Sequence, residues 1–204
     1  MRVNADTKQE THRRILDAAD ELFRREGFDA ASTRDLARAA GIATGTLFNY
    51  FPTKEAIAMT LVAEALAKGH EDFQKSPRSA ESLEEDLFAF IAAQLRHLKA
   101  QRGYLQPVLE TALTPAARSA VAPEGESMRM AHLEMVEQLF RKHGHEESPS
   151  FVLMHLYWTL YTGVLAFWSR DNSRRQEDTL AVLDQALKMF VRALPDQPPT
   201  SQTQ

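Results

Sequence analysis

Ser32 to Lys54 reads STRDLARAAGIATGTLFNYFPTK, two short helical patterns meeting at a glycine. Ser32 or Thr33 can cap the first pattern, with Asp35 placed to return a bond and to favour the positive helix start. Leu36, Ala37 and Ala40 form its apolar face. Gly41 suits the left-handed residue that follows a helix end, and Ile42 fills the corner. A second helix starts at Ala43 or Thr44 and runs to Tyr50, stopped by Pro52. Leu47 and Phe51 lie four apart on one side, leaving Thr44, Thr46, Asn49 and Tyr50 outside. Two helices joined by a tight turn, the second with an uncommitted polar face, describe a helix-turn-helix.

The run Thr33, Arg34, Leu36, Ala37, Ala40, Gly41, Ile42, Gly45, Thr46, Leu47, Asn49, Tyr50, Phe51 and Lys54 resembles the DNA-binding domain of the TetR family of bacterial transcriptional repressors. The match spans roughly Thr7 to Ala65; beyond it the chain is similar only in length and helical character. By reach alone, Thr44 and Asn49 are placed for base edges in a major groove. The resemblance implies a base or phosphate contact for Arg34, phosphate contacts for Thr33, Thr46, Tyr50 and Lys54, and close backbone approach at Gly45. Two residues depart from the family pattern. Ala43 stands where a capping polar residue is common, removing about 1 kcal/mol of capping, and Phe48 replaces a frequent Tyr.

The 204 residues are 44% hydrophobic, enough for a sizeable core, and the net charge of -4 limits nonspecific DNA affinity without opposing a specific site. The absence of Cys fits a reducing cytoplasm. MRVNADTKQETHRR has no apolar core, so no signal peptide is read there. Phe151 to Trp168 carries no formal charge and reaches the lower limit for a spanning helix, about 17 residues. His155, Tyr157, Tyr161 and several Thr and Gly dilute it, and a helix buried on most sides of a cytoplasmic protein, with no membrane partner, is the expectation.

An all-α fold follows from the remaining patterns, with no strand signal and no repeat. Thr7 and Glu10 form a capping box opening a first helix with Ile15, Ala19, Leu22 and Phe23 inside, closed by Gly27. Arg13, Arg14, Arg24 and Arg25 are read as its solvated face. Residues 1–54 form the helix-turn-helix domain. A fourth helix, capped by Thr53 with Ile57, Leu61 and Ala65 on one side, connects from about 54 to 70. Residues 71–195 form a larger helical effector-binding and dimerisation domain, and 196–204 a disordered tail.

Within that larger domain, Ser82 and Glu85 box a helix reaching about Gln101, and Pro107 marks a short kinked one. Thr114 to Glu126 is the least regular stretch. A further helix carries Met128, His132, Met135 and Leu139. Ser148 caps the long apolar helix, with Pro149 in its first turn. The last runs from about Arg174 to Leu194 with Leu180, Leu183, Leu187, Phe190 and Leu194 as one stripe.

Aromatic, Met and His residues here suit a pocket for a small apolar or aromatic effector: Phe88, Ile91, Leu95, Tyr104, Met128, His132, Met135, His155 and Trp158, with Tyr157, Tyr161 and Trp168 nearby. The resemblance, not the composition, is what favours a pocket over plain core. It implies a homodimer packed through the last two helices, with Thr159, Thr162, Gly163 and Ala166 permitting close approach. It also implies a repressor released from a palindromic double-stranded operator by that effector. The alternative is an effector-independent DNA-binding dimer governed by a protein partner or by abundance. No metal or cofactor is called for: no His follows Glu or Asp by three residues, and His143 and His145 flank Gly144 at a helix end, where they serve the dipole. With no Cys nucleophile and no phosphate-binding glycine loop, no enzyme is expected.

Overall fold

The computed structural model describes residues 5–76, 79–110, 123–145 and 149–194. Among them every regular element is helical. Three helices build the amino-terminal head, α1 Ala5–Glu26, α2 Thr33–Ala39 and α3 Thr44–Tyr50, and α4 Lys54–Lys75 follows them. The body continues with α5 Leu83–His97, two single 3-10 turns at Leu98–Ala100 and Arg102–Tyr104, and α6 Leu105–Val108. Then come α7 Pro123–Lys142, α8 Phe151–Arg170 and α9 Glu177–Arg192.

The head closes on the side chains that the helical spacing singles out. Ile15, Leu16, Ala19, Leu22 and Phe23 of α1 meet Leu36 and Ala37 of α2, Leu47 of α3 and Phe51, all buried. α4 then runs from this head into the body, where α5 packs along it and α7 crosses it. The buried set is continuous through α4, so head and body share one core.

Several local expectations shift. α1 begins at Ala5, so Thr7 sits inside the helix, its carbonyl accepting from Thr11 Oγ1 at 2.9 Å, and does not cap it. α4 continues past His70 to Lys75. Gly69 offers no break, because it is buried where α5 crosses. Ser82 caps α5 by accepting from the Glu85 amide at 3.2 Å, while the Glu85 carboxylate returns its bond one residue earlier, to the Glu81 amide at 2.9 Å.

Glu124 to Glu126 belong to α7, which opens at Pro123, a residue that forfeits no bond at a helix start; residues 111–122 lie outside the described segments. Ser148 does too, and the cap of α8 is Ser150, accepting from the Leu153 amide at 3.2 Å, so Pro149 precedes the cap. In α9, Leu183, Leu187 and Phe190 are buried, but Leu180 is 40% exposed and Thr179 takes the inner position. Asp171 explains the exchange. Its carboxylate accepts from the Thr179 amide at 2.9 Å and from the Thr179 hydroxyl at 2.5 Å, anchoring the start of α9. Hydrogen bonds from Ser173, and then these from Thr179, hold the Asp171 carboxyl well below the ordinary range. The expected tail at 196–204 falls outside the described residues.

α8 is the one described helix long and apolar enough to cross a membrane. It is buried on one side only. Met154, Tyr157, Trp158, Tyr161, Val164, Leu165 and Trp168 enter the core, whereas Phe151, Val152, Leu156 and Phe167 are exposed. Of the four small residues, Thr162 turns inward and bonds the Trp158 carbonyl at 3.0 Å; Thr159 and Gly163 face out and Ala166 is half-buried.

Candidate nucleic-acid interface and effector cavity

The turn between α2 and α3 is built from the backbone outward. Ser32 Oγ accepts from the Asp35 amide at 3.2 Å, and the Asp35 carboxylate bonds the Ser32 hydroxyl, which depresses the Asp35 pKa. Gly41 takes φ 65°. Its amide donates to the Arg38 carbonyl at 3.1 Å and that of Ile42 to the Ala37 carbonyl at 3.0 Å, the paired bonds of a Schellman ending. α3 therefore leaves the turn at a fixed angle, seated on fully buried Leu47 and on Phe51.

The rest of α3 looks outward. Asn49 is exposed and Thr44, Thr46 and Tyr50 are half-exposed, with Tyr50 beside the His12 ring at 6.5 Å. Phe48, where a Tyr is frequent, is 48% exposed. Ala43 supplies no side-chain cap, so the first amides of α3 lack a side-chain acceptor. A Cβ on Gly45 would meet nothing within 4 Å. The chain's own packing thus makes no demand for glycine there, and the bare position suits close approach from outside. Thr33 is half-exposed and Arg34 exposed at the start of α2.

Lys54 has a different setting from the other site residues. Its ammonium donates to the carbonyls of Phe28 at 2.7 Å and Ala31 at 3.2 Å and lies 4.3 Å from the centre of the Phe28 ring. It ties the start of α4 to the loop before α2. On α1, Arg13 bridges Asp17 and Glu64, Arg24 pairs with Asp20 and Arg25 with Glu21, so these cations are compensated locally.

The body holds a cavity of about 590 Å³ against α4. α4 contributes Ala63, Leu66, Ala67, His70 and Glu71; α7 contributes Ser127, Met128, Ala131 and His132; α5 contributes Gln94. Of the nine sequence-selected pocket residues, Met128 and His132 line it. Trp158 lies just behind, its ring 5.6 Å from that of His132. Ile91, Leu95 and Met135 are buried core, Phe88 packs against that core, and His155 stands beside exposed Phe151. Tyr104 is elsewhere, bonded to Asp20 on α1 at 2.7 Å. Gln94 was missed. The signal available for Gln94 was a polar residue at the spacing of the buried α5 stripe Leu87, Ile91, Leu95 and Leu98.

His132 is the polar centre of the wall. Its Nδ1 lies 3.2 Å from Gln94 Nε2 and its Nε2 lies 3.0 Å from the Tyr157 hydroxyl. The Tyr161 ring packs on it at 4.1 Å. Burial, with a smaller push from His70, lowers the His132 pKa to about 3, so the ring is neutral. His143, by contrast, reaches from the end of α7 to Asp86 at 2.7 Å, and Lys142 meets the same carboxylate at 2.6 Å. That cross-helix pairing, more than a helix dipole, occupies His143, while the His145 ring packs on Phe140. Among the described residues no cluster of metal-ligating side chains is found.

A short helix presented outward from a rigid turn defines a helix-turn-helix DNA-binding protein. Residues 15–59 match the family model for bacterial regulatory proteins of the tetR family, and residues 86–202 match the tetracyclin repressor-like C-terminal domain. Since the second match alone spans more than half of the chain, the protein belongs to the TetR family of DNA-binding transcriptional regulators. A putative mycofactocin biosynthesis regulator, MftR of Mycobacterium tuberculosis, is 28% identical, covering 80% of this chain and 82% of its own length. Two solved structures share the fold. A TetR regulator from a Rhodococcus species has a TM-score of 0.68 at 19% identity, covering 94% of this chain and 100% of its own. Thermus thermophilus FadR, a repressor solved with lauroyl-CoA, has a TM-score of 0.68 at 23% identity, covering 93% of this chain and 98% of its own.

Proposed function

We propose that the protein is a cytoplasmic repressor that binds a palindromic operator as a homodimer and is released by a small, largely apolar effector. In this reading Thr44 and Asn49 read base edges. Thr33, Arg34, Thr46 and Tyr50 hold phosphates, Gly45 admits the backbone, and Lys54 acts by fixing the loop behind them. Residues 1–54 are the reading head and 71–195 the effector and dimer body, joined by α4. The outward faces of α8 and α9 pack against their copies.

The observation that carries the effector reading is the seat of the cavity on α4, the helix that begins three residues after Phe51 closes α3. A ligand that fills the cavity acts directly on the lever that sets the angle of the head. That T. thermophilus FadR was solved with lauroyl-CoA supports an effector with a long apolar part. The activity is one of binding, not catalysis.

The test is a thermal-shift screen of apolar and acyl compounds, followed by measurement of operator affinity with each hit. A stabilising compound that weakens operator binding by roughly 5- to 150-fold fits the usual range of allosteric coupling. Stabilising compounds that all leave operator affinity unchanged would favour the effector-independent dimer.

A further inference from the structure

The inner wall of the cavity is polar at one place and carries no charge there. Gln94, 2% exposed, lines the cavity, and its Oε1 has no hydrogen-bond partner. Tyr161, stacked on His132, has a buried hydroxyl that likewise lacks one. A buried polar atom left unpaired is destabilising, and of these two only Gln94 Oε1 belongs to a residue that lines the cavity. The titratable groups of the lining, His70 and Glu71, follow Gly69, which abuts Gln94; burial lowers the His70 pKa, and Glu71 is exposed.

The relay behind Gln94 is reversible. With Nε2 donating to His132 Nδ1, the neutral ring carries its proton on Nε2, donates to Tyr157, and leaves Gln94 Oε1 needing a donor. With the amide turned over, Tyr157 donates to His132 Nε2, Nδ1–H donates to Gln94 Oε1, and the amide NH₂ is left needing an acceptor. A hydroxyl or a primary amide satisfies either state. A carboxylate satisfies only one, and the lining holds no Lys or Arg to compensate its charge, while burial disfavours the charged form of both His70 and His132.

Resting on the effector reading above, we propose that the ligand is a neutral molecule with an apolar body, whose hydroxyl or amide group bonds the unpaired amide atom of Gln94. An ionised head is rejected at this depth. Burial keeps His132 neutral at physiological pH, so the site does not acquire a cation to receive one.

The experiment uses the full chain and four probes of equal length: decanol, decanamide, decanoate and decylamine, titrated by calorimetry at neutral pH. Decanol and decanamide should bind at least about tenfold more tightly than the two ions. Gln94→Leu should abolish that preference. Nitrogen chemical shifts of the His132 ring in the unsubstituted protein should move on adding decanol, a readout that does not depend on the variant folding. Decanoate binding as tightly as decanol, or unmoved His132 shifts at saturation, overturns the inference while leaving the effector cavity in place. Failure of all four probes to bind also overturns it. The effector reading itself is then judged by the wider screen and operator release.

Discussion

The Tyr104 hydroxyl donates to Asp20 Oδ1 at 2.7 Å, and the Tyr104 ring lies 5.2 Å from that of Phe23. This pair joins the body to α1 of the reading head through a bond that does not involve α4. Burial, with the Asp20 carboxylate next, raises the Tyr104 pKa, so the phenol remains a donor at any physiological pH. The head is thus held at two places, by α4 and by this bond.

Tyr104→Phe keeps the ring contact and removes the bond. Stability should fall by about 1 kcal/mol, and effector-induced loss of operator affinity should shrink because the head is less firmly tied to the body. Thermal melts and operator titrations with and without effector measure the two separately.

At Gly69 the backbones of α4 and α5 are in close contact. A Cβ there would stand 2.6 Å from Gln94 Cα and 2.9 Å from its amide nitrogen, both backbone atoms that cannot step aside. Gly69→Ala should destabilise by roughly 1–3 kcal/mol through overpacking. It should also alter ligand affinity, since the displaced Gln94 lines the cavity. A variant as stable as the parent would show that the helices part without cost.

The exposed apolar stripe of α8 includes Phe151, 78% exposed, and Leu156, 56% exposed, with Met189 of α9 at 63%. A dimer that covers this stripe is broken by a charge. Leu156→Glu should give a monomer in sedimentation and lower operator affinity by roughly 100-fold or more through loss of two-headed binding, with the helical content unchanged.

With Asp171, Asp86 is one of the carboxylates that shape the acid response. Its burial works to raise its pKa, but Lys142 and His143 outweigh this and hold it below the ordinary 3.8. The unfolded chain therefore takes up this proton first as pH falls, so the stabilisation is present above pH 3.8 and lost as pH drops through the lower folded value. Asp86→Asn should lower stability at neutral pH and flatten the acid limb of a stability–pH curve. An unchanged acid limb would remove Asp86 from that role.

The reading head was legible because its determinants are local: the Ser32 cap, the left-handed Gly41, and Leu47 with Phe51 on one side of a single helix. What escaped was set by partners distant in the chain. Lys54 looks like a free cation until the Phe28 and Ala31 carbonyls fold beneath it. Gln94 stands at the spacing of the buried α5 stripe, but only the approach of α4 and α7 makes it part of a cavity wall. Tyr104 resembles a pocket aromatic, and only the approach of Asp20 makes it a strut. Ser148 and Ser150 flank Pro149 symmetrically enough that spacing could not choose the cap of α8. Leu180 fits the apolar stripe of α9, but the Asp171 anchor gives Thr179 the inner position.

The central claim is that α3 lies in a DNA groove while its twin does the same one turn away. Selection of bound duplexes from a random pool by the purified protein, repeated with Asn49→Ala, tests it directly. The account predicts an enriched inverted repeat with half-site centres about 34–36 Å apart, or a multiple of that spacing. With Asn49→Ala, preference should relax at one symmetric base-pair position by about 1–3 kcal/mol. No enrichment, or an enriched site without symmetry that Asn49→Ala leaves untouched, would contradict it.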